Sequence, residues 1–384
     1  MKIIVAPDKF KGSLSAKEVA GAVIKGLREV FPDVEIDSIP MADGGEGTVD
    51  AIAAATGGRK ITRDVTGPLG QSVAAKFTIF TGPDGEKTAA IEMAAASGIS
   101  LVVGKNHPLE ATTYGTGQLI SAALDRKCRR LIVGLGGSAT TDGGCGMAQA
   151  LGASFTDTHG RPLKLGGGAL SQLRELSLDK IDARLGEIEI SAACDVDNRL
   201  YGKGGAALEY APQKGATPAQ AQILDAGLRR LSKTIKKCLG RDVHNIPGAG
   251  AAGGLGAGLV AFTAAKLSLG VDIVSETVEL SRRMSGADLV ITGEGRLDKQ
   301  TFRGKAPYGV ARIAKALDIP TVAIVGSIGA GTVEMQKHGI LAAIPICTRP
   351  MTGAEAQEEA VKLVTAAANR ALNIFLAGRR AGHN

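Results

Sequence analysis

Six short stretches of this sequence stand out: five mix acids, bases or hydroxyls, with glycine in or near them, after an apolar or mixed run of strand character, and one is almost wholly Gly and Ala. In the first, residues 7–15, Lys9 and Lys11 stand beside Gly12, Ser13 and Ser15; a helix starting there offers unpaired N–H groups to an anion. A helix cap with two solvated lysines also accounts for it. In the second, Asp43 and Glu46 lie among Gly44, Gly45 and Gly47, where carboxylates can hold Mg²⁺ or accept a hydroxyl proton. The alternative is a polar turn with Asp43 as its cap. The third, residues 135–146, sets Gly136, Gly137 and Ser138 before Asp142, a backbone cradle for phosphate with a metal ligand at its end.

The fourth places Asp195 just past a strand, with Lys214 following in Pro212-Gln213-Lys214-Gly215, so that a general base and a phosphate-neutralising cation are at hand. The fifth, residues 247–258, contains GxGxxG from Gly248 to Gly253. A dinucleotide fingerprint needs a strand directly before it, and Arg241–Pro247 carries Asp, His, Asn and Pro. A helix entrance that meets phosphate through Gly253 and Gly254, or close helix packing, fits better. The sixth, residues 293–305, brings Glu294, Arg296, Asp298 and Lys305 to a strand's carboxyl end, without the spacing of a Walker loop. Histidines 107, 159, 244, 338 and 383 show no HExxH spacing and no GxSxG elbow occurs, which argues against zinc and serine hydrolysis. Acids, cations and flexible backbone without a covalent nucleophile suit phosphoryl transfer, where catalysis is positioning and charge neutralisation.

Such loops need a sheet to hold them. Strand-like runs recur at Lys2–Ala6, Glu35–Ile39, Leu131–Gly134, Glu187–Ala192, Asp288–Thr292, Thr321–Gly326 and Leu341–Ile346, most leading into helical stretches. Capping boxes are predicted at Ser15 with Glu18, Thr217 with Gln220, and Thr352 with Glu355. Between Asp64 and Ile91 the rhythm breaks into turn clusters around AAKFTIF, read as a hairpin. Residues 1–65 and 255–384 are therefore expected to share one sheet, with 66–254 inserted as a second α/β domain.

Composition narrows the setting. A length of 384 residues exceeds one usual core, and the 44% of hydrophobic residues are mostly small aliphatics, with no Trp. No uninterrupted apolar run is long enough to span a membrane, and five widely spaced cysteines suggest reduced thiols and a cytoplasmic setting. The net charge of +7 is scattered and aromatic residues are few, which disfavours nucleic acid and suits an anionic small substrate.

Taken in order, ADGGEGT, GGSATTDGG, CDVDN with PQKGA, PGAGAAGGLGAGL and ITGEGRLDKQT resemble the bacterial glycerate kinase family over nearly the whole chain. The resemblance implies ATP- and Mg²⁺-dependent phosphorylation of glycerate, usually at the 2-hydroxyl, in glyoxylate or sugar-acid catabolism, and a flavodoxin-like (Rossmann-type) parallel-sheet domain carrying an inserted α/β domain. The chain departs from the family's usual residues at Lys9, Thr141, Arg199 and Lys299. On this reading the site lies in an interdomain cleft. Asp195, Asp43, Lys214 and Arg296 are the catalytic expectations, with Asp195 as base and Arg296 on the glycerate carboxylate. Lys11, Ser13, Gly136, Gly137, Ser138, Gly253, Gly254 and Lys305 are expected to bind ATP, and Glu46, Asp142, Glu294 and Asp298 to hold Mg²⁺. The rivals are a NAD-dependent hydroxy-acid dehydrogenase and a non-catalytic sugar-acid or nucleotide sensor. A homodimer is left open.

Overall fold

The computed structural model describes residues 1–104 and 107–381. In chain order it begins with β1 (Lys2–Val5), α1 (Ala16–Val30), β2 (Glu35–Ser38) and α2 (Thr48–Thr56). There follow β3 (Arg59–Thr66), β4 (Ser72–Thr81), β5 (Lys87–Glu92), α3 (Ala94–Ser97), α4 (Tyr114–Asp125), β6 (Arg130–Gly134) and α5 (Cys145–Ala150). Next come β7 (Ser154–Asp157), β8 (Leu173–Ser177), β9 (Glu189–Ala193), α6 (Ala206–Tyr210), α7 (Pro218–Leu239), α8 (Ala251–Thr263) and β10 (Lys266–Ser268). The chain closes with α9 (Gly270–Thr277), α10 (Leu280–Met284), β11 (Leu289–Leu297), α11 (Ala306–Ala316), β12 (Thr321–Ile328), β13 (Ala342–Pro345), α12 (Gly353–Glu358) and α13 (Ala360–Ala381).

Two compact units result. The first comprises residues 1–43, 50–57 and 271 onward; the second comprises 44–49 and 58–270. The expected boundaries at 65 and 255 therefore move. β3 pairs along its whole length with β4, and β10 pairs with β9, so hydrogen bonding holds both within the second unit.

Unit 1 is a parallel sheet of order β13-β12-β11-β1-β2, the doubly wound order of flavodoxin-like folds. Its central strands β1 and β11 are buried on both faces. Ile324 packs with Val19, Leu27, Val364 and Leu372 of α1 and α13, whereas Ala323 and Val325 pack with Ala311 of α11, as the period of two requires. α13 is long and apolar enough to cross a membrane by length and composition. Its inner face is buried here, however, with Thr365 donating to the Ala22 carbonyl at 3.1 Å.

Unit 2 carries a six-stranded sheet, β10-β9-β6-β5-β4-β3, parallel from β10 to β5 and antiparallel beyond. The predicted hairpin is a three-stranded meander, closed by Gly67 N–H to the Gln71 carbonyl and Gly82 N–H to the Glu86 carbonyl. All three predicted capping boxes form, at the starts of α1, α7 and α12.

Candidate functional site

The carboxyl ends of β6 and β9 in unit 2 open into a cavity of about 490 Å³. Leu135–Ser138 enter it from β6 and Ala193–Val196 from β9; Tyr210, Lys214 and Ala251–Gly253 complete much of the wall. Of the residues expected from sequence, Gly136, Gly137, Ser138, Asp195, Lys214 and Gly253 line this one space.

Its floor is built where main chains press together. A Cβ on Gly136 would lie 2.7 Å from Gly45 Cα, so the second glycine-rich stretch packs directly on the third. Ala252, Gly253 and Gly254 take three successive left-handed conformations at the entrance of α8. A Cβ on Gly253 would come within 1.9 Å of the Thr140 carbonyl, and Gly143 N–H donates to the Gly253 carbonyl at 3.1 Å. The GxGxxG stretch is thus an interlock between two loops. The residues before Gly248 form no strand, so a dinucleotide fingerprint lacks its required context. Gly254 N–H is engaged by the Gly250 carbonyl at 3.3 Å, which corrects its expected role of meeting phosphate.

Lys214 closes the short turn Pro212–Lys214 and is 4% exposed. Its Nζ donates to Ser138 Oγ and to the Thr140 carbonyl, each at 2.7 Å. Burial pushes its pKa down to about 7, a drop opposed by the charge of Asp142. The Lys214 ammonium is therefore a buried group at the cavity wall, held by Ser138 and the Thr140 carbonyl and within reach of the Asp142 charge.

Asp142, expected to hold Mg²⁺, has its oxygens taken up by donors of the chain itself. Thr113 N–H and Oγ1, Gly144 N–H, Gly146 N–H and Thr112 Oγ1 all donate to its two oxygens at 2.8–3.3 Å, and it is fully buried. Burial raises its pKa, while the donors from Thr113, Gly144 and Gly146 pull it back. The carboxylate therefore ties the start of α4 to the 140s loop. Asp195 is exposed on the cavity wall, and its Oδ1 accepts from Gly270 N–H at 3.2 Å. Glu46 is exposed.

Unit 1 gathers a different set. The strand expected to end at Thr292 runs on to Leu297, because Gly293 admits neighbouring main chain that a side chain would block: a Cβ there would meet the Ile324 carbonyl at 2.2 Å. The continued alternation turns Glu294 inward, where it accepts from Thr301 Oγ1 at 2.5 Å and pairs with Lys305 Nζ at 3.4 Å. Burial raises its pKa, and Thr301 and Lys305 oppose the rise. Arg296 is exposed and pairs with Asp298 at 3.3 Å. Lys11 is exposed with its main chain beside Gly295, and Ser13 donates to the Gln357 carbonyl at 3.4 Å.

Asp8 was not among the sequence candidates. Its N–H donates to the Gly293 carbonyl at 2.8 Å, which places it beside Glu294 at the switch point between β1 and β11. Burial, then the neighbouring charges of Asp43 and Glu294, raises its pKa to about 7, against the pull of Lys9. The available signal was its place three residues past the end of β1, in a stretch whose lysines drew attention instead.

A profile of the glycerate kinase family matches residues 3–376. The chain belongs to the glycerate kinase family. It is 47% identical to the glycerate kinase of Bacillus subtilis (strain 168), over 98% of this chain and 100% of that one. It is also 47% identical to the glycerate 2-kinase of Escherichia coli (strain K12), over the full length of both. A crystal structure from Salmonella typhimurium LT2, carrying a provisional glycerate kinase 2 name, superposes with a TM-score of 0.86 at 44% identity, covering 99% of each chain. The family's mixed α/β architecture is the one described above.

Proposed function

We propose that this chain is a glycerate kinase that transfers the γ-phosphoryl group of ATP directly to D-glycerate, at the 2-hydroxyl. The reading rests on one observation above the rest: a buried lysine hydrogen-bonded to a serine at the wall of a glycine-floored cavity in unit 2. Such a group attracts phosphate without supplying a nucleophile, which is what direct transfer requires. Asp195, on the same cavity wall, takes the hydroxyl proton. The glycerate oxygen bonds to phosphorus as the bridging P–O bond breaks, and ADP leaves with the electron pair. Arg296 grips the glycerate carboxylate, a task suited to an exposed guanidinium. Lys11 and Lys305 meet phosphate charge.

Mg²⁺ commonly arrives on the triphosphate and takes only one or two protein carboxylates. Among the described residues no three acidic, His or Cys side chains form a metal cage. Glu294 and Asp298, on one segment of unit 1, fit that smaller demand, whereas the saturated oxygens of Asp142 do not. Bound there, the ion neutralises phosphate charge.

The test supplies ATP, Mg²⁺ and D-glycerate and follows ADP release, with phosphorus NMR of the product. A signal from 2-phosphoglycerate is expected. Formation of 3-phosphoglycerate would refute the regiochemistry, and no ATP consumption in the presence of glycerate would leave the sensor reading standing.

A further inference from the structure

We infer that Ile99 and Val196 are the two walls that hold the purine ring of the nucleotide at the rim of the unit 2 cavity. The inference rests on the ATP reading above and assigns that site a base-binding end.

Size comes first. A space of about 490 Å³ lies in the range that accepts drug-sized ligands, and a three-carbon acid would fill only a fraction of it. The wall mixes charged and apolar groups. Lys214, 4% exposed, and Ser138 supply the polar part. Ile99 and Val196, 39% and 36% exposed, are large aliphatics that line the same cavity. Scattered apolar residues on a surface need no explanation, but two that face one cavity from separate loops do.

Their placement suits a flat ring. Ile99 N–H bonds to the Gly137 carbonyl at 2.9 Å, so Ile99 borders the loop after β6 on one side. Val196 follows β9, and Leu135 N–H bonds to the Ala193 carbonyl at 3.2 Å, so it borders that loop on the other. Segments flanking a central strand are about 10 Å apart. A planar ring with carbon contacts at about 3.5–4 Å on each face needs a gap of roughly 7–8 Å, a little under that strand-to-strand spacing. With phosphates toward Lys214, the purine falls between these walls and its apolar faces are removed from water.

The experiment titrates the full-length protein and its Ile99→Ala and Val196→Ala variants with ADP and with inorganic tripolyphosphate, by calorimetry. Losing one aliphatic wall should weaken ADP about tenfold, consistent with the loss of one buried aliphatic contact. Tripolyphosphate affinity and KM for D-glycerate should stay within about twofold, and Ile99→Leu should restore most of the ADP affinity. Unchanged ADP affinity in both variants would overturn the assignment, as would equal losses for ADP and tripolyphosphate, or a rise confined to the KM for glycerate. Wild-type protein that binds neither ADP nor ATP would sink the nucleotide reading itself, a result distinguishable from wild-type binding that the variants leave intact.

Discussion

At the β1–β11 switch point unit 1 buries two acids, Asp8 and Glu294, whereas the cavity wall of unit 2 buries a lysine, Lys214. Both place ionisable groups at the carboxyl ends of parallel strands, one at the β1–β11 switch point and the other beyond β6 and β9. In unit 1 main-chain register sets Asp8 beside Glu294, and burial pushes the Asp8 carboxyl up to about 7. In unit 2 burial pushes the Lys214 ammonium down to about 7. Sheet topology thus fixes where chemistry happens, while the side chains at each edge decide which charge is held there under strain. On the proposed reading the acidic edge is where the metal would be held and the cavity is where phosphate would bind.

The sharpest contrast is mechanical. The floor of the unit 2 cavity is main chain against main chain, whereas the glycine beside Lys11 in unit 1 has room. Gly253→Ala places a methyl 1.9 Å from a carbonyl at a residue with φ of +68°, and should cost more than about 4 kcal/mol. Gly295→Ala meets only ordinary contacts, the nearest Lys11 N at 3.4 Å, and should cost less than about 1 kcal/mol. Thermal unfolding measures both. Equal losses would erase the distinction between a locked floor and an open edge.

Next in size is pH dependence, and the two units should slope in opposite directions. Asp8 has its pKa raised from 3.8 to about 7, so the unfolded chain sheds its proton first, and stability present below pH 3.8 is lost as pH rises toward 7. Lys214 has its pKa lowered from 10.5 to about 7, so the stability present above pH 10.5 is lost as pH falls toward 7. Each contribution is at most about 5 kcal/mol. Chemical denaturation of metal-free protein should therefore show Asp8→Asn flattening the curve between pH 4 and 7, and Lys214→Met flattening it between pH 7 and 10. If either variant merely shifted the whole curve, the corresponding group would not titrate as described.

Much of this architecture was legible before any coordinates. Runs such as LIVG and LVIT, bounded by turn residues, marked the buried strands, and hydroxyl-x-x-Glu/Gln spacing marked three helix starts, because those signals are local. The sites were legible only as loops. Gly293 and Gly295 read as breakers because composition cannot distinguish a turn from a strand pressed close to its neighbour. Asp142 read as a ligand because its donors come from Thr112 and Thr113, distant in sequence. Ile99 and Val196 read as ordinary apolar residues, since exposure at a cavity rim is a tertiary property.

The smallest expected effect probes strain in the floor itself. Ala252 lies at φ 51°, ψ 40°, a conformation that costs an L-residue about 1–2 kcal/mol, and it lines the cavity between Ala251 and Gly253. Glycine there would relieve the strain but would lose about 0.5–1 kcal/mol to the freedom of the unfolded chain. Ala252→Gly should therefore gain at most about 1 kcal/mol, seen as a small rise in Tm. Asp318 provides the comparison in unit 1, because it is also left-handed, at φ 57°, but follows α11 without being bracketed by other left-handed residues. Asp318→Gly should gain a similar amount and leave turnover untouched. If Ala252→Gly raised stability equally but slowed catalysis, the strained turn would be holding its neighbours' amides in place for phosphate, a duty that the turn in unit 1 does not have.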